Sequence, residues 1–488
     1  MLNSLGRKAS PKCSAGDKEK RVKDRTLFGC PPIEVKVQAR AGLRVVNWYI
    51  TMAKMCQDKT MRNILIVGAG GREHAIAWAL RETATDEVQV FCAPGNAGIA
   101  QISQQVNISV DKHDDLAAFA ESNQIDLTFV GPEAPLAAGI VDRFTAKGLP
   151  IVGPDSAAAR LEASKIFAKE FMARHGVPTA AFRTATSPDE AIAVLKTGEF
   201  GSADSPVVIK ADGLAAGKGV VVAATHAEAE TAIADLMVHH SAGKEAAARV
   251  VIEEALAGKE ASVLVFADGR DYAVMPAARD HKRIGENDTG PNTGGMGVVT
   301  DAAVLDASLM DRVLKEMVEP TLSGAQRERF PFKGVLFLGL MLTGDGPRLL
   351  EYNVRFGDPE TQALLVRLKT DLLRIFEAIR EGTLGRLKVE WAAGSSACVV
   401  AANRGYPGKY ESGAEIEGLE GAESAGVQVF HAGTSRASNG KFIATGGRVL
   451  GITAAAENLP AALDLCYESL GRIHWPGMQF RRDIGRSS

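Results

Sequence analysis

VVIKADGLAAGKGVVV, Val207 to Val222, is the stretch that decides how the chain folds. Val207, Val208 and Ile209 lead into Lys210, a glycine-rich turn follows, and Val220 to Val222 resume an extended run: strand, flexible loop, strand. Gly213, Gly217 and Gly219 let the backbone come close to an anion, while Lys210 and Lys218 supply charge against a polyphosphate. A P-loop is excluded, because it needs four residues between its glycines, then Lys-Ser or Lys-Thr and a helix. Here Gly219 follows Lys218 and a strand comes next. Read alone, the same residues also describe a surface hairpin with incidental lysines, so the choice rests on the rest of the chain.

The 488 residues suffice for about three domains. With 46% hydrophobic and 24% charged residues and a formal net charge of -3, the composition fits a water-facing globular protein and carries no nucleic-acid footprint. The charge is uneven. Residues 1 to 60 hold 13 Lys or Arg against 5 Asp or Glu, a net of +8, so the remainder carries -11 (-3 less +8). The apolar cluster Val45 to Met52 in that segment is shorter than the roughly 20 residues a membrane span needs, and a charged run from Asp17 to Arg25 stands where a secretory signal would have its apolar core. Asp17, Glu19 and Asp24 are out of character for a transit peptide. The segment reads as a disordered extension or a misassigned start ahead of Met61. The six cysteines show neither paired nor metal-type spacing, which fits a reducing compartment.

From Met61 the pattern changes. Ile64 to Val67 is a buried strand, Gly68 to Gly71 a tight turn and Glu73 to Arg81 a helix, the arrangement that offers free helix amides to an anion. Strands follow at Val88 to Cys92, Ile125 to Val130 and near Leu149 to Val152, each running into a Gly- or Pro-rich loop, which describes a parallel sheet with a ligand at its carboxyl edge. The acid that would hold a dinucleotide ribose after the second strand is absent, which argues against NAD. Residues 161 to 176 read as one helix, with Lys165 and Lys169 on one face. The run from Asp280 to Gly297 is polar, basic and Gly-rich, a functional loop in pattern. After the strand 334–343 the chain returns through Arg348 to Val354, and Glu351 and Asn353, two apart, share one side of that strand. A carboxylate and an amide oxygen there are hard ligands suited to Mg²⁺ beside substrate phosphates. Residues 386 to 486 form a further small α/β unit in which no catalytic pattern stands out.

The combination GAGGREHA at Gly68, PGNAG at Pro94, GPEAPL at Gly131, VIKADGLAAGKGV at Val208, DHKR at Asp280, TGPNTGGMG at Thr289, EYNVRFGDPETQ at Glu351 and FHAGT at Phe430 closely resembles the phosphoribosylamine–glycine ligase (glycinamide ribonucleotide synthetase) family, of ATP-grasp type, from Met61 to the end. The resemblance implies an α/β and α+β chain. Residues 61–162 would be a parallel-sheet substrate domain, 163–384 an ATP-grasp core with its flap subdomain at about 180–256, and 385–488 a C-terminal domain. It implies that ATP is held by Lys165, Lys210, the flap residues Gly213, Gly217, Lys218 and Gly219, then Glu253, Glu254 and Glu260, with Mg²⁺ or Mn²⁺ on Glu351 and Asn353. The sugar phosphate would sit on Gly70, Gly71, Arg72, Glu73, Asn96, Pro132 and Glu133. Glycine and its reacting carboxylate would lie near Lys282, Arg283, Asn292, Thr293, Gly294 and Gly295, with Lys210, Asp280, Arg355 and Asp358 as catalytic residues.

The implied reaction joins glycine to 5-phosphoribosylamine at the expense of ATP, through a glycyl phosphate. The implied setting is a monofunctional cytoplasmic monomer that touches neither nucleic acid nor membrane and meets the enzyme supplying the amine only transiently. Two alternatives stand beside it: another ATP-grasp carboxylate ligase of purine synthesis, which should lack the combined GGREHA, PGNAG and NTGGMG set, and an inactive nucleotide-binding regulator, which should have lost Lys210, Glu351 or Asn353.

Overall fold

The structure is a computed structural model that describes residues 61–215, 219–241, 243, 248–423 and 426–486. The expectations for residues 1–60, and for Gly217 and Lys218 in the flap, lie outside the described residues. Among the described residues no helix is long and apolar enough to cross a membrane.

Arg62–Gly68 opens a five-stranded parallel sheet whose order is Gln104–Gln105, Val88–Pro94, Arg62–Gly68, Leu127–Val130 and Ile151–Val152. Ile64 to Val67 are wholly buried, as expected of a central parallel strand covered on both faces. The fifth strand, Gln104–Gln105, is two exposed residues long and carries no apolar pattern by which the sequence could announce it. The helix Gly71–Thr83 follows the first strand and places its N-terminus at the carboxyl edge of the sheet.

The strands on either side of the flap belong to a separate antiparallel sheet, in the order Phe182–Ala185, Val250–Glu254, Val207–Ala211 and Val220–Ala223, with helices Pro188–Lys196 and His226–Met237 closing its own small core. The single helix expected over 161–176 is two, Ser156–Ala163 and Lys165–His175. Ser164, in extended backbone, ends the first and caps the second by accepting from the Phe167 amide, while its hydroxyl donates to Asp212. The break aims the second helix at the flap sheet.

The largest sheet runs Gly346–Asn353, Lys333–Thr343, Lys259–Asp268, Ala278–Asp280, Gly297–Thr300, Ser395–Asn403, Arg448–Ala456 and Val427–His431. Gly297–Thr300 pairs directly with Ser395–Asn403, so one sheet continues from the central region into the C-terminal one. Asp280 lies opposite Val298 in adjacent strands, and residues 281–296 are an excursion between two neighbours. Part of this loop is a short hairpin, Arg283–Gly285 with Thr289–Asn292.

Candidate active site

Glu351 and Asn353 occupy the returning strand Gly346–Asn353, opposite Gly339 and Phe337, and the pairing slips by one residue at Leu350. The carbonyl of that extra residue accepts from Lys210 Nζ at 3.2 Å. Lys210 Nζ also lies 2.9 Å from Glu253 Oε2, and Lys169 Nζ is 3.1 Å from the same oxygen; all three side chains are buried. Burial and the neighbouring Lys210 push Lys169 down to about 8, against the pull of Glu253. The second carboxylate oxygen of Glu253, Oε1, is buried and has no partner among the described residues. Lys165, at the start of its helix, donates to the Gly213 carbonyl at 3.0 Å.

Glu351 is arranged differently. Burial opposes its charge, but Lys282, Lys210, Lys165 and Arg355 outweigh that and hold the carboxyl below the usual range. None of the four comes within 4.0 Å, so among the described residues its oxygens remain uncommitted. Arg355 reaches Glu162 at 2.9 Å, Glu133 at 3.3 Å and the Asn353 side-chain oxygen at 3.1 Å. Its guanidinium is thereby fixed between the returning strand and the first sheet's edge.

At that edge Arg72 bonds Glu73 at 2.6 Å and donates to the Phe356 carbonyl at 3.1 Å. Glu73 also accepts from the Gly70 amide at 2.5 Å. A Cβ on Gly131 would collide with the Glu73 carboxylate, so the GPE turn must begin with glycine. Gly71 backs onto Gln362. Pro132 caps the short helix from Glu133. The Asn96 amide is spent within the protein: it donates to the Ala69 and His431 carbonyls and accepts from the Gly98 and Ile99 amides. It shapes this edge.

The excursion 281–296 supplies the third wall. Lys282 pairs with Glu260 at 2.9 Å; Glu260, Glu351 and Asp280 outweigh the cost of its burial and raise it above its ordinary value. Thr293 clasps the Lys282 carbonyl through both its amide and its hydroxyl. Burial, reinforced by Glu360, pushes the Asp280 carboxyl well up, and Asp280 Oδ1 has no partner among the described residues. Arg448 closes the wall. Its Nη1 donates to the Gly294 carbonyl at 2.7 Å and to the Asp358 carbonyl at 2.6 Å, and its Nη2 lies 3.4 Å from the Asp358 carboxylate, which also accepts from Gln362 at 2.9 Å. The Gly294 amide donates to the Tyr406 hydroxyl.

Three family models tile this frame: the phosphoribosylglycinamide synthetase N domain over residues 62–162, its ATP-grasp (A) domain over 163–361 and its C domain over 396–487. The chain belongs to the phosphoribosylamine–glycine ligase family. The phosphoribosylamine–glycine ligase of Vibrio cholerae serotype O1 is 47% identical over 86% of this chain and 97% of its own length, and that of Caldanaerobacter subterraneus subsp. tengcongensis 46% identical over 86% and 99%. The crystal structure of phosphoribosylamine–glycine ligase from Thermotoga maritima superposes with a TM-score of 0.75 at 34% identity, covering 86% of this chain and all of that one. An ADP complex of N5-carboxyaminoimidazole ribonucleotide synthetase, 17% identical with a TM-score of 0.59 over 84% of this chain and 96% of that one, shares the fold alone. Membership makes the chain an ATP-dependent carbon–nitrogen ligase of purine biosynthesis that joins glycine to 5-phosphoribosylamine, and neither the carboxylating alternative nor the inactive regulator is favoured. ATP and a divalent metal come with the ATP-grasp architecture.

In this phosphoribosylamine–glycine ligase the fold brings some of the residues singled out in the sequence together and leaves others apart. Lys165, Lys210, Gly213, Glu253 and Glu351 are linked by direct bonds or shared field, and Gly219 closes the base of the flap by accepting from the Ala211 amide at 2.7 Å. Glu254 is exposed and braces the Ala181 amide at 2.8 Å. Arg283 spends its guanidinium on the Gly290 carbonyl at 2.7 Å, and Asn292 is an exposed hairpin residue. Asp212 and Arg448 carry structural work in the site that sequence reading missed. Asp212 accepts from Ser164, the Ile166 amide and Arg249, and so ties the flap base to the Lys165 helix. The glycine pair Gly446–Gly447 ahead of Arg448 was the one visible signal for the latter.

Proposed function

We propose that ligation proceeds by transfer of the γ-phosphoryl group of ATP to a glycine carboxylate oxygen, after which the amine of 5-phosphoribosylamine attacks the acyl carbon and expels phosphate. The observation that carries this reading is Glu351, a carboxylate set among four cations and bonded to none. With the Asn353 oxygen it forms a hard donor pair that fits Mg²⁺ or Mn²⁺ beside phosphate oxygens. When bound, the metal spreads the charge of the phosphates. Lys165 and Lys210 would hold phosphate oxygens, and the flap of Gly213 to Gly219, with Lys218, would cover them and exclude water from the acyl phosphate.

Glu253 Oε1, without a partner among the described residues, suits the adenine amino group, with Glu254 beside it and Glu260 at the ribose. The sugar phosphate would lie on Gly70, Gly71 and Arg72, oriented by Glu73, Asn96, Pro132 and Glu133. Glycine would lie between Lys282, Thr293, Gly294 and Gly295, with Arg283 and Asn292 supporting the hairpin and Asp280, Arg355 and Asp358 orienting the reacting groups. We assign four segments, 1–60, 61–162, 163–384 and 385–488, to a cytoplasmic monomer that meets the amine-supplying enzyme transiently. The test is ADP release with Mg²⁺ and ATP, adding glycine and fresh 5-phosphoribosylamine separately and together. Release requiring both is expected, and release with neither would overturn the reading.

A further inference from the structure

The last described residues do chemistry-free work that bears on the substrate loop. Arg481 is 1% exposed and makes a two-pronged pair with Asp483, Nε to Oδ1 at 2.8 Å and Nη2 to Oδ2 at 2.7 Å. Its remaining nitrogen, Nη1, donates across to Asp288 at 2.7 Å and to the Arg283 carbonyl at 3.1 Å. Asp483 in turn accepts from the Asn287 amide at 2.8 Å. Asn287 and Asp288 both sit at positive φ, 55° and 53°, a turn that its short polar residues tolerate and outside bonds must stabilise.

Further along, the Gly485 amide donates to His281 Nε2 at 3.1 Å. His281 Nδ1 faces the Gly297 carbonyl at 3.2 Å, so the ring is neutral with its proton on Nδ1, and burial keeps it so. The strap is itself anchored, because the Tyr467 hydroxyl donates to the Arg481 carbonyl and accepts from the Ile484 amide. It therefore grips the excursion at His281, Arg283, Asn287 and Asp288, on both sides of Lys282.

We propose that Arg481–Gly485 is a positioning strap, with Arg481 as a positioning residue that sets where Lys282 and Asp280 meet the glycine substrate while leaving the nucleotide site alone. This deepens the reading that glycine binds in the 280–297 wall, and it rests on that reading. Nothing in Arg481's bonds reaches Lys165, Lys210 or Glu253, so ATP binding should be indifferent to it.

The test uses the full chain with Arg481→Ala, Arg481→Lys and Asp288→Asn, the last altering a side chain 61% exposed so that folding is spared. Steady-state KM for glycine and for ATP is measured together with the melting temperature. The expected result is a glycine KM raised about tenfold or more in Arg481→Ala, the scale of a misplaced reacting group. The ATP KM should stay within about twofold, Arg481→Lys should recover part of the loss, and Asp288→Asn should show a smaller shift of the same kind. Equal shifts in both KM values, or a lowered melting temperature with glycine KM unchanged, would overturn the strap. If Arg481→Ala fails to fold, Asp288→Asn decides alone by the same KM split. Should the unmodified chain release ADP without glycine, the failure lies in the functional reading and not in the strap.

Discussion

Glu253 and Glu351 are two carboxylates that share the neighbour Lys210, and they are committed in opposite ways. Glu253 is buried with one oxygen held by Lys169 and Lys210, while Glu351 feels four cations and bonds none within 4.0 Å. A carboxylate bonded to two lysines balances charge inside the protein. One stabilised at a distance keeps its lone pairs for something that is not protein. The difference separates a carboxylate with one oxygen spent on charge balance from one that keeps both, more sharply than residue type, since the sequence proposes both as binding residues.

The largest effect should fall on Glu351→Ala. Turnover is expected to drop by more than about a hundredfold, the scale on which preorganised charge acts in catalysis, while unfolding free energy changes by about 1 kcal/mol or less, as for an ordinary point change. ADP formation and a urea titration check both halves. A stability loss as large as that of a Glu253 variant would erase the distinction. Glu253→Ala should reverse the pattern's weight: two buried lysines lose their counter-charge, and breaking a buried pair costs about 3–5 kcal/mol. The urea midpoint measures it, and an unchanged midpoint would mean that the charge balance around Glu253 contributes nothing to the fold.

Glu73 is a third carboxylate and stands with Glu253, fully spent on Arg72 and the Gly70 amide. Gly131→Ala drives a methyl group into it. The KM for 5-phosphoribosylamine should rise by about tenfold, as for a displaced positioning group, with the ATP KM unchanged. A shift in ATP KM instead would mean that this edge serves the nucleotide.

The flap hairpin, the parallel sheet and the Glu351–Asn353 pair were legible because each follows from local rules: branched residues flanking glycines, apolar runs ending in turns, and the two-residue period of a strand. The break at Ser164 was not, since its cause is Asp212, 48 residues away. Nor were Arg448 and Arg481, whose meaning lies in carbonyls more than 80 residues distant that accept from them. The commitment of Asn96 to backbone groups was equally hidden, because the PGNAG motif shows the residue but not what its amide meets. The sequence thus marks which residues crowd a site, and only the fold tells which of them are already paired.

The smallest effect tests the balance inside the Glu253 group. Lys169 is pushed down to about 8 in the fold, mainly by burial and then by Lys210, whereas in the unfolded chain it titrates near 10.5. Between those values the unfolded chain holds more of the Lys169 proton than the native one, so the sign of the linkage is that this group's contribution to stability rises with pH. Below about pH 8 both states hold the proton, and the penalty of keeping a second buried ammonium beside Lys210 is fully present. Lys169→Met removes that penalty together with one of Glu253's two partners and the 2.7 Å bond to Thr179. Comparing urea midpoints at pH 7.5 and 9.5, the wild type should gain relative to Lys169→Met on going to the higher pH. A constant gap between the two proteins would mean that Glu253 fully compensates Lys169 in the fold, leaving Lys210 as the less satisfied cation and the one freer to meet a phosphate.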